Sequence, residues 1–197
     1  MLIKKLKIGV LGIQGSIIEH VNALEKSDVE TIIVREKQDL NKIHGLIIPG
    51  GESTTISKLL ERFNLSEKIK KKVKDGMGIY GTCAGAILLS KRIIDNNGGV
   101  KNLNLMDITV CRNAYGSQIY SFVDNIDINE LKLKMFPAIF IRAPKINEIG
   151  KNVKILAKYK NDIIFAQEEN FMVSTFHPEL GDKPDIHKYF IQLCKRS

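Results

Sequence analysis

Short apolar runs alternate with segments of helical spacing through the first half of this chain. The runs KIGVLGI (7–13) and GLIIP (45–49) have the length and content of buried strands. SIIEHVNALEKSD (16–28) and STTISKLLERF (53–63) instead repeat apolar residues every three or four positions, as amphipathic helices do. Because strands that alternate with helices form βαβ units, this half predicts a mostly parallel sheet flanked by helices.

The same alternation continues toward the middle of the chain. VETIIV (29–34) predicts a strand, and the lysine-rich SEKIKKKVKDG (66–76) predicts a helix with one apolar face. GMGIYG (76–81) then predicts a short buried strand, and AGAILLSKRII (84–94) the helix behind it. The turn between these last two elements must be sharp.

From about Leu103 the chain reads as one strand after another. No helical segment separates these runs, so we expect antiparallel strands that extend the parallel sheet or fold over it. The predicted strands are LMDITVCRN (105–113), SQIYSFV (117–123), PAIFIRAP (137–144), VKILAKY (153–159), DIIFAQE (162–168) and FMVSTFHPE (171–179). A last helix is predicted within 183–196, and residues 1–197 are predicted to form a single α/β domain.

Composition narrows the classes of function. The 197 residues include 30 lysines and arginines against 22 aspartates and glutamates, a net charge of +8. The lysines are scattered, and their densest stretch, 66–76, has the pattern of a solvated helix face, so we expect no nucleic acid partner. A docking surface for an acidic partner is the alternative interpretation of this stretch. No apolar run approaches the ~20 residues that cross a bilayer, so we expect no membrane contact.

The three cysteines, Cys83, Cys111 and Cys194, are odd in number and irregularly spaced. This spacing argues against a disulfide framework and against a zinc site, so we expect no bound metal. Reduced thiols are typical of a cytoplasmic protein, which is the location we expect. Apolar residues at four-residue steps give Cys194 a core position in the last helix.

The stretch GTCAG (81–85) joins a predicted strand to a predicted helix. Glycines on either side of a central residue make the sharp turn that exposes the nucleophile of α/β hydrolases. Cys83 would stand at this turn, with the Ala84 N–H directed at the oxyanion of a reacting carbonyl. An ordinary tight turn with a packed thiol is the alternative interpretation.

A nucleophilic cysteine needs a base, and the chain has four candidates: His20, His44, His177 and His187. Two of them lie within predicted helices and one precedes a strand, without an acidic residue placed to orient the ring. His177 instead ends an apolar run, and Glu179 points to the same side of an extended chain. With the cysteine of the elbow, these residues predict a catalytic triad. A strand end capped by a turn is the alternative.

Two further features would suit a substrate that carries a carboxylate. PGGEST (49–54) follows a predicted strand with tandem glycines, whose N–H groups can hold an anion or an oxyanion. Arg112 and Arg142 each end an apolar run, where a guanidinium can bind a carboxylate. A plain turn and ordinary strand-edge arginines explain the same residues without function.

Six motifs follow one another along the chain: GVLGIQG (9–15), PGGEST (49–54), GTCAG (81–85), RNAYG (112–116), FIRAP (140–144) and FHPE (176–179). In this order they resemble the class I, or triad, glutamine amidotransferases. They are most similar to the PdxT/SNO family, the glutaminase subunits of pyridoxal 5′-phosphate synthase. The resemblance spans residues 7 to about 190. It implies an open α/β fold and hydrolysis of L-glutamine to L-glutamate and ammonia.

The resemblance also implies a role for each matching position. Cys83 would attack the glutamine amide, His177 would pass the proton to the departing ammonia, and Glu179 would orient His177. Gly51 and Ala84 would donate N–H groups to the oxyanion. The positions that would contact glutamine are Gly51, Glu52, Ser53, Arg112, Ile141 and Arg142.

The implied partner is the synthase subunit, which would receive the ammonia and build pyridoxal 5′-phosphate from a pentose phosphate and a triose phosphate. Gln14 would couple this partner to the oxyanion hole. The glutaminase half needs no cofactor, and pyridoxal 5′-phosphate is the product of the complex. Cys111 departs from the family pattern, which has a glutamate before the RN pair; we interpret it as a packing or surface change that leaves the triad untouched.

Three other hypotheses stay open. The chain could be the glutaminase subunit of imidazole glycerol phosphate synthase or another class I amidotransferase, since individual motifs are shared. It could be a redox-sensing relative in which Cys83 is oxidised, although the complete histidine and glutamate pair argues against this. A basic nucleic-acid-binding module is the least favoured of the three.

Overall fold

The computed structural model describes residues 5–96, 99–112 and 121–195. The strands in these ranges are β1 (Lys7–Leu11), β2 (Glu30–Val34), β3 (Gly45–Ile48), β4 (Gly78–Thr82), β5 (Ser90–Ile93), β6 (Met106–Cys111), β7 (Phe122–Ile128), β8 (Leu133–Phe140), β9 (Lys145–Ile149), β10 (Lys154–Tyr159), β11 (Asp162–Glu168) and β12 (Phe171–Ser174). The α-helices are α1 (Ile17–Glu25), α2 (Ser53–Arg62), α3 (Ser66–Lys74), α4 (Ala84–Leu89) and α5 (Asp185–Cys194). None of these described helices is long and apolar enough to cross a membrane.

Ten of the described strands form one sheet, in the order β2-β1-β3-β4-β12-β11-β9-β6-β5, with β10 paired to β11. The first five strands of that order are parallel to one another. Antiparallel pairs then follow through β11, β9 and β6, and β5 runs parallel to β6. β7 and β8 form a separate antiparallel pair. The predicted fold class, a mostly parallel α/β sheet with added antiparallel strands, is confirmed.

The central parallel strands, β1, β3, β4 and β12, are buried on both faces. Side chains alternate along a strand, so Leu46 and Ile48 of β3 join one apolar cluster while Ile47 joins the other. The first cluster packs against α2, α3 and α4, and the second against α1, α5 and the β7–β8 pair. Covering helices on both sides explain why these strands are continuous apolar runs in the sequence.

The carboxyl ends of four parallel strands meet at one edge of the sheet. β1 leads to Gln14, β3 to Gly50, β4 to Cys83, and β12 to His177. The register keeps these ends level, because Ser174 of β12 pairs with Thr82 of β4. In open α/β sheets ligands bind at this edge, and the candidate active site lies here.

The helix predicted over 84–94 is too long. α4 ends at Leu89, and Ser90 has extended dihedrals, φ −60° and ψ 150°, from which β5 continues. The Ser90 hydroxyl donates to the Ile87 carbonyl at 2.8 Å, and the Asn102 amide donates to the Ser90 carbonyl at 2.6 Å. These side chains occupy carbonyls that further helical turns would use, so the helix stops there.

The second half departs from the predictions in four respects. β8 covers Leu133–Phe140 and lies four residues earlier than the strand predicted over 137–144. β12 pairs parallel with β4 and β6 pairs parallel with β5, whereas the strands from about Leu103 were predicted to pair antiparallel. β9 was not predicted, because KINEI is short and mostly polar. The strand predicted over 117–123 begins outside the described residues, and the structure instead has β7 from Phe122 to Ile128.

Candidate active site

Cys83 is the single residue between β4 and α4. Its backbone has φ 48° and ψ −101°, a combination that residues with a side chain rarely adopt. The Cys83 N–H donates to the Ser174 carbonyl of β12 at 2.8 Å, which fixes the turn against the neighbouring strand. A strained residue between a strand and a helix is the conformation of a nucleophile elbow.

The two glycines of GTCAG allow this turn to pack closely. A Cβ at Gly81 would lie 2.5 Å from the backbone carbon of Gly85, and a Cβ at Gly85 would lie 2.2 Å from the Ile48 carbonyl oxygen. Both contacts are far inside van der Waals distance. Glycine is therefore needed at both positions for α4 to lie against β3 and β4.

His177 and Glu179 form a buried pair beside the elbow. Nδ1 of His177 lies 2.7 Å from Oε1 of Glu179, and the two residues are only 6% and 5% exposed. The predicted contact is present, but its geometry differs from the extended strand expected. β12 ends at Ser174, and a single 3₁₀ turn over Pro178–Leu180 brings the carboxylate back to the ring.

Nearby groups stabilise the charged forms of His177 and Glu179. Burial by itself would lower the pKa of His177, but hydrogen bonds with Cys83 and Glu179 raise it to about 10. Burial would likewise raise the pKa of Glu179, whereas the imidazoles of His20 and His177 and the Ser16 hydroxyl lower it to about 2. His177 can therefore carry a proton at neutral pH while Glu179 stays a carboxylate.

The tandem-glycine loop is anchored on three sides. The Gly50 N–H donates to the Thr82 hydroxyl at 2.9 Å, and the Gly50 carbonyl accepts from the Ser16 N–H at 3.0 Å. The Glu52 N–H donates to Oε1 of Gln14 at 2.9 Å. Gln14 thus holds the peptide that follows Gly51.

A cavity of about 480 Å³ opens in front of the elbow. Its lining includes every residue predicted from the sequence for the site except Glu179, which lies behind the His177 ring. The lining residues are Gln14, Gly15, Ser16, Gly50, Gly51, Glu52, Ser53, Cys83, Ala84, Ile87, Arg112, Ile141, Arg142 and His177. The structure therefore gathers the candidate nucleophile, base, loop and arginines around one space.

The two arginines reach the cavity from just after β6 and from the turn after β8. Nη2 of Arg112 donates to the Thr54 hydroxyl at 3.2 Å, which holds the guanidinium near the start of α2. Arg142 has φ 43°, in the left-handed region, and follows Ile141, whose carbonyl lies 3.9 Å from the Cys83 sulfur. Residues 113–116 of the RNAYG motif lie outside the described residues. Cys111 is absent from the described cavity lining.

Several residues of the site were missed in the sequence. Gly50 packs against the triad, since a Cβ there would lie 2.3 Å from Cε1 of His177. Thr82 lies inside GTCAG and Ser16 directly follows GVLGIQG, so proximity to these motifs was the available signal. His20 and His187 were set aside as helix residues, yet both are fully buried behind Glu179.

Known proteins resemble this chain in sequence and in structure. The sequence profile described as the SNO glutamine amidotransferase family matches residues 10–196. The chain belongs to this family. A Thermotoga neapolitana relative, named pyridoxal 5′-phosphate synthase subunit PdxT, is 48% identical over 190 residues, which cover 96% of this chain and all of the relative. A Dictyoglomus turgidum relative of the same name is 49% identical over 189 residues, covering 96% and 99%.

Solved structures agree with this assignment. A crystal structure of a glutamine amidotransferase superposes with a TM-score of 0.87 at 36% identity, covering 95% of this chain and 98% of that one. The structure of PurLQS from Thermotoga maritima has a TM-score of 0.68 at 18% identity, covering 98% and 99%, and shares the fold. Both the predicted family and the predicted fold are therefore confirmed.

Proposed function

We propose that this chain is the glutaminase subunit of a pyridoxal 5′-phosphate synthase. It hydrolyses L-glutamine to L-glutamate and ammonia and passes the ammonia to the synthase subunit. Membership of the SNO family and two relatives named PdxT at 48% and 49% identity support the assignment. The observation that carries the chemistry is the strained Cys83 elbow beside the buried His177 and Glu179 pair.

In the proposed reaction the Cys83 sulfur attacks the side-chain amide carbon of glutamine. The carbon–nitrogen bond breaks as His177 gives its proton to the departing ammonia, and a thioester remains on Cys83. His177 then takes a proton from water, which attacks the thioester and releases glutamate. Glu179 touches no reacting atom and keeps Nδ1 of His177 as the donor side of the ring.

The other proposed roles follow from the cavity lining. N–H groups of Gly51 and Ala84 would stabilise the oxyanion that forms when the sulfur attacks. The two guanidiniums, Arg112 and Arg142, would hold the glutamine carboxylate, while Glu52, Ser53 and Ile141 complete the contacts with the substrate. Because Gln14 accepts the Glu52 N–H, a partner that moves Gln14 would change the oxyanion loop.

The proposed hydrolysis of glutamine needs no cofactor in this subunit. Its partner is the synthase subunit, and the complex would make pyridoxal 5′-phosphate from a pentose phosphate and a triose phosphate. We assign one amidotransferase domain to residues 1–197. We also expect the protein to work in the cytoplasm, where its proposed nucleophile stays a reduced thiol.

Cys83→Ala should abolish release of glutamate from L-glutamine. The substitution removes the atom that forms the thioester, so the rate should fall by at least about 10³-fold. The assay measures glutamate with the synthase subunit present. His44→Gln is the matched control, since His44 lies at the opposite, amino-terminal end of β3 and should keep the wild-type rate. Glutamate release that survives in Cys83→Ala would refute the proposed nucleophile.

The same variant tests the partner. A complex of the synthase subunit with the Cys83→Ala chain should still make pyridoxal 5′-phosphate when an ammonium salt replaces glutamine. The synthase then receives its nitrogen directly, so only the glutaminase step is missing. Failure of the wild-type complex to make pyridoxal 5′-phosphate from glutamine and the two sugar phosphates would refute the assignment to this synthase.

A further inference from the structure

Two buried histidines lie behind the triad, on the side away from the cavity. Nε2 of His20, on α1, lies 3.5 Å from Oε1 of Glu179 and 3.1 Å from the Thr82 hydroxyl. Nδ1 of the same ring lies 2.9 Å from Nε2 of His187, on α5. Both rings are 0% exposed, and neither is among the described residues that line the cavity. A line of polar groups therefore runs from α5 through α1 to the triad carboxylate.

The protons on this line can be assigned. Burial lowers the pKa of His20, and it lowers the pKa of His187 to about 3, so each ring is neutral and carries one proton. Oε1 of Glu179, 3.5 Å away, is a carboxylate oxygen that can only accept and would repel a lone pair, which favours the His20 proton on Nε2, where it can donate to the Thr82 hydroxyl. Nδ1 of His20 then accepts from the Nε2–H of His187.

His187, at the end of this line away from Glu179, is consistent with this assignment of the protons. Nδ1 of His187 is left with a lone pair, and it has no hydrogen-bond partner among the described residues. The opposite tautomer would bury an unmatched N–H at that point, which folded proteins tolerate less readily. His187 thus fixes which nitrogen of His20 faces the triad.

The His20 ring also reaches the oxyanion loop. The Thr82 hydroxyl that it contacts accepts the Gly50 N–H at 2.9 Å, and Thr82 directly precedes the nucleophile. Ser16, one turn before His20, donates to Oε1 of Glu179 at 2.7 Å. The start of α1 therefore contacts both the triad carboxylate and the residue that holds the loop.

We propose that His20 is a positioning residue for the reaction, held in one tautomer by His187, which keeps the Glu179 carboxylate turned toward His177 and Thr82 turned toward Gly50. The inference rests on the proposed glutaminase function and adds to it. His20 touches no substrate and acts only through Glu179 and Thr82.

The groups that face Glu179 come from four elements. They are His20 on α1, Tyr80 on β4, His177 after β12, and His187 on α5. Only His20 and His177 place a ring nitrogen within 3.5 Å of Oε1 among the described residues. Removing His20 therefore takes away one of the two imidazole contacts that favour the carboxylate form.

The test compares His20→Leu, His20→Gln and His187→Leu with the wild type. We expect His20→Leu to lower kcat for glutamine hydrolysis by about 10- to 100-fold with little change in KM, since the polar contact with the Glu179 carboxylate and the hydrogen bond with Thr82 are both lost outside the substrate cavity. His20→Gln keeps an amide N–H that can face Oε1, and it should recover most of the lost kcat. His187→Leu should lie between the two, because His20 can then adopt either tautomer.

A second readout separates positioning from packing. The proton between Nδ1 of His177 and Glu179 should give a downfield resonance in the proton NMR spectrum, identified by its absence in His177→Gln. As the pH is lowered from 7 toward 4, this resonance should disappear at a higher pH in His20→Leu than in the wild type. The reason is that Glu179 without the His20 N–H is protonated more easily.

Each outcome decides the proposal. A wild-type kcat in His20→Leu, or a lower kcat with a wild-type NMR titration, would overturn the positioning role while leaving the glutaminase proposal intact. Absence of glutamate release by the wild-type complex would instead refute the proposed function. If thermal melting shows that His20→Leu does not fold, His187→Leu decides in its place, and a wild-type kcat and titration there would overturn the proposal. His44→Gln serves as the control histidine substitution.

Discussion

At the scale of single residues, the candidate site converges on one oxygen atom. Oε1 of Glu179 receives the His177 ring at 2.7 Å and the Ser16 hydroxyl at 2.7 Å, with the His20 ring at 3.5 Å. Two hydrogen bonds to one buried carboxylate oxygen, with the His20 ring beside them, fix both its charge and its direction. This arrangement explains why a carboxylate can stay ionised in a position that is only 5% exposed.

Glu179→Gln should move the alkaline limb of the kcat/KM profile to lower pH. Glu179 and Cys83 together raise the pKa of His177 to about 10, so removing one negative charge returns that pKa toward its ordinary value. The proton that the leaving ammonia needs is then lost at a lower pH. We also expect kcat to fall by about 10²- to 10⁴-fold, since the ring loses the group that orients it.

The measurement is kcat/KM for glutamine hydrolysis between pH 6 and 10, with the synthase subunit present. Ser16→Ala is the graded control, because it removes a hydrogen bond from Oε1 but leaves the Glu179 charge. Its alkaline limb should move less than that of Glu179→Gln. An alkaline limb that stays at the wild-type pH in Glu179→Gln would show that this carboxylate does not set the protonation of His177.

The sequence predicted the triad residues because each lies in a short motif with its own chemical logic. GTCAG places glycines around a thiol, and His-Pro-Glu brings a carboxylate to a ring within three residues. The supporting residues could not be predicted in this way. Ser16 and Glu179 are separated by 163 positions, and only the folded chain brings them together. His20 looked like an ordinary helix residue, since its partners belong to other elements.

At the scale of elements, the elbow depends on how closely α4 approaches β3. Gly85→Ala should destabilise the protein although alanine favours a helix, because the new Cβ would lie 2.2 Å from the Ile48 carbonyl oxygen. Overpacking of this kind costs about 1–3 kcal/mol. The displacement of α4 should also lower kcat, since Ala84 and Cys83 move with the start of the helix.

Unfolding in urea and glutamine hydrolysis together test this prediction. Gly181→Ala is the matched control, because its Cβ would meet only the Pro178 carbonyl at 3.5 Å and its φ of −91° suits alanine. We expect that variant to unfold at nearly the wild-type urea concentration. Wild-type stability and activity in Gly85→Ala would show that the helix can shift without disturbing the nucleophile.

The boundaries of strands were predictable where the strand is covered by helices on both faces and is therefore a continuous apolar run, as in β3 and β4. The predicted boundaries were wrong where the local sequence pattern suits both a helix and a strand. The stretch 84–94 is apolar enough for one helix, but the Ser90 hydroxyl and the Asn102 side chain end it at Leu89. β9 was missed because its pairing with β6 and β11 compensates for a sequence that is mostly polar.

At the scale of the whole molecule, the sheet order joins distant parts of the chain into one site. β12 comes last of the strands in sequence but lies beside β4, and its parallel register brings His177 level with Cys83. No local pattern could give this neighbour relation, since all later strands looked equally suited to antiparallel pairing. Family resemblance was therefore the stronger guide to the arrangement, and the comparisons confirm it.

The stability of the whole fold should depend on pH through His177. Its pKa is raised to about 10 in the folded protein, above the ordinary value of 6.5. The folded state therefore holds a proton that the unfolded chain releases, and this stabilisation is complete below pH 6.5 and lost as the pH rises through 10. His177→Gln removes the group, so its destabilising effect should be larger at pH 6 than at pH 10, by roughly 2–4 kcal/mol.

Urea unfolding of the wild type and His177→Gln at pH 6 and pH 10 measures this difference. Both proteins are compared at each pH, so the titration of groups that do not interact with His177 cancels to first order. The same pair of measurements in a Cys83→Ala background should give a smaller difference, because the hydrogen bond with Cys83 contributes to the raised pKa. An equal effect of His177→Gln at both pH values would mean that the folded protein does not hold this proton, and the proposed proton transfer to ammonia would then lack its donor.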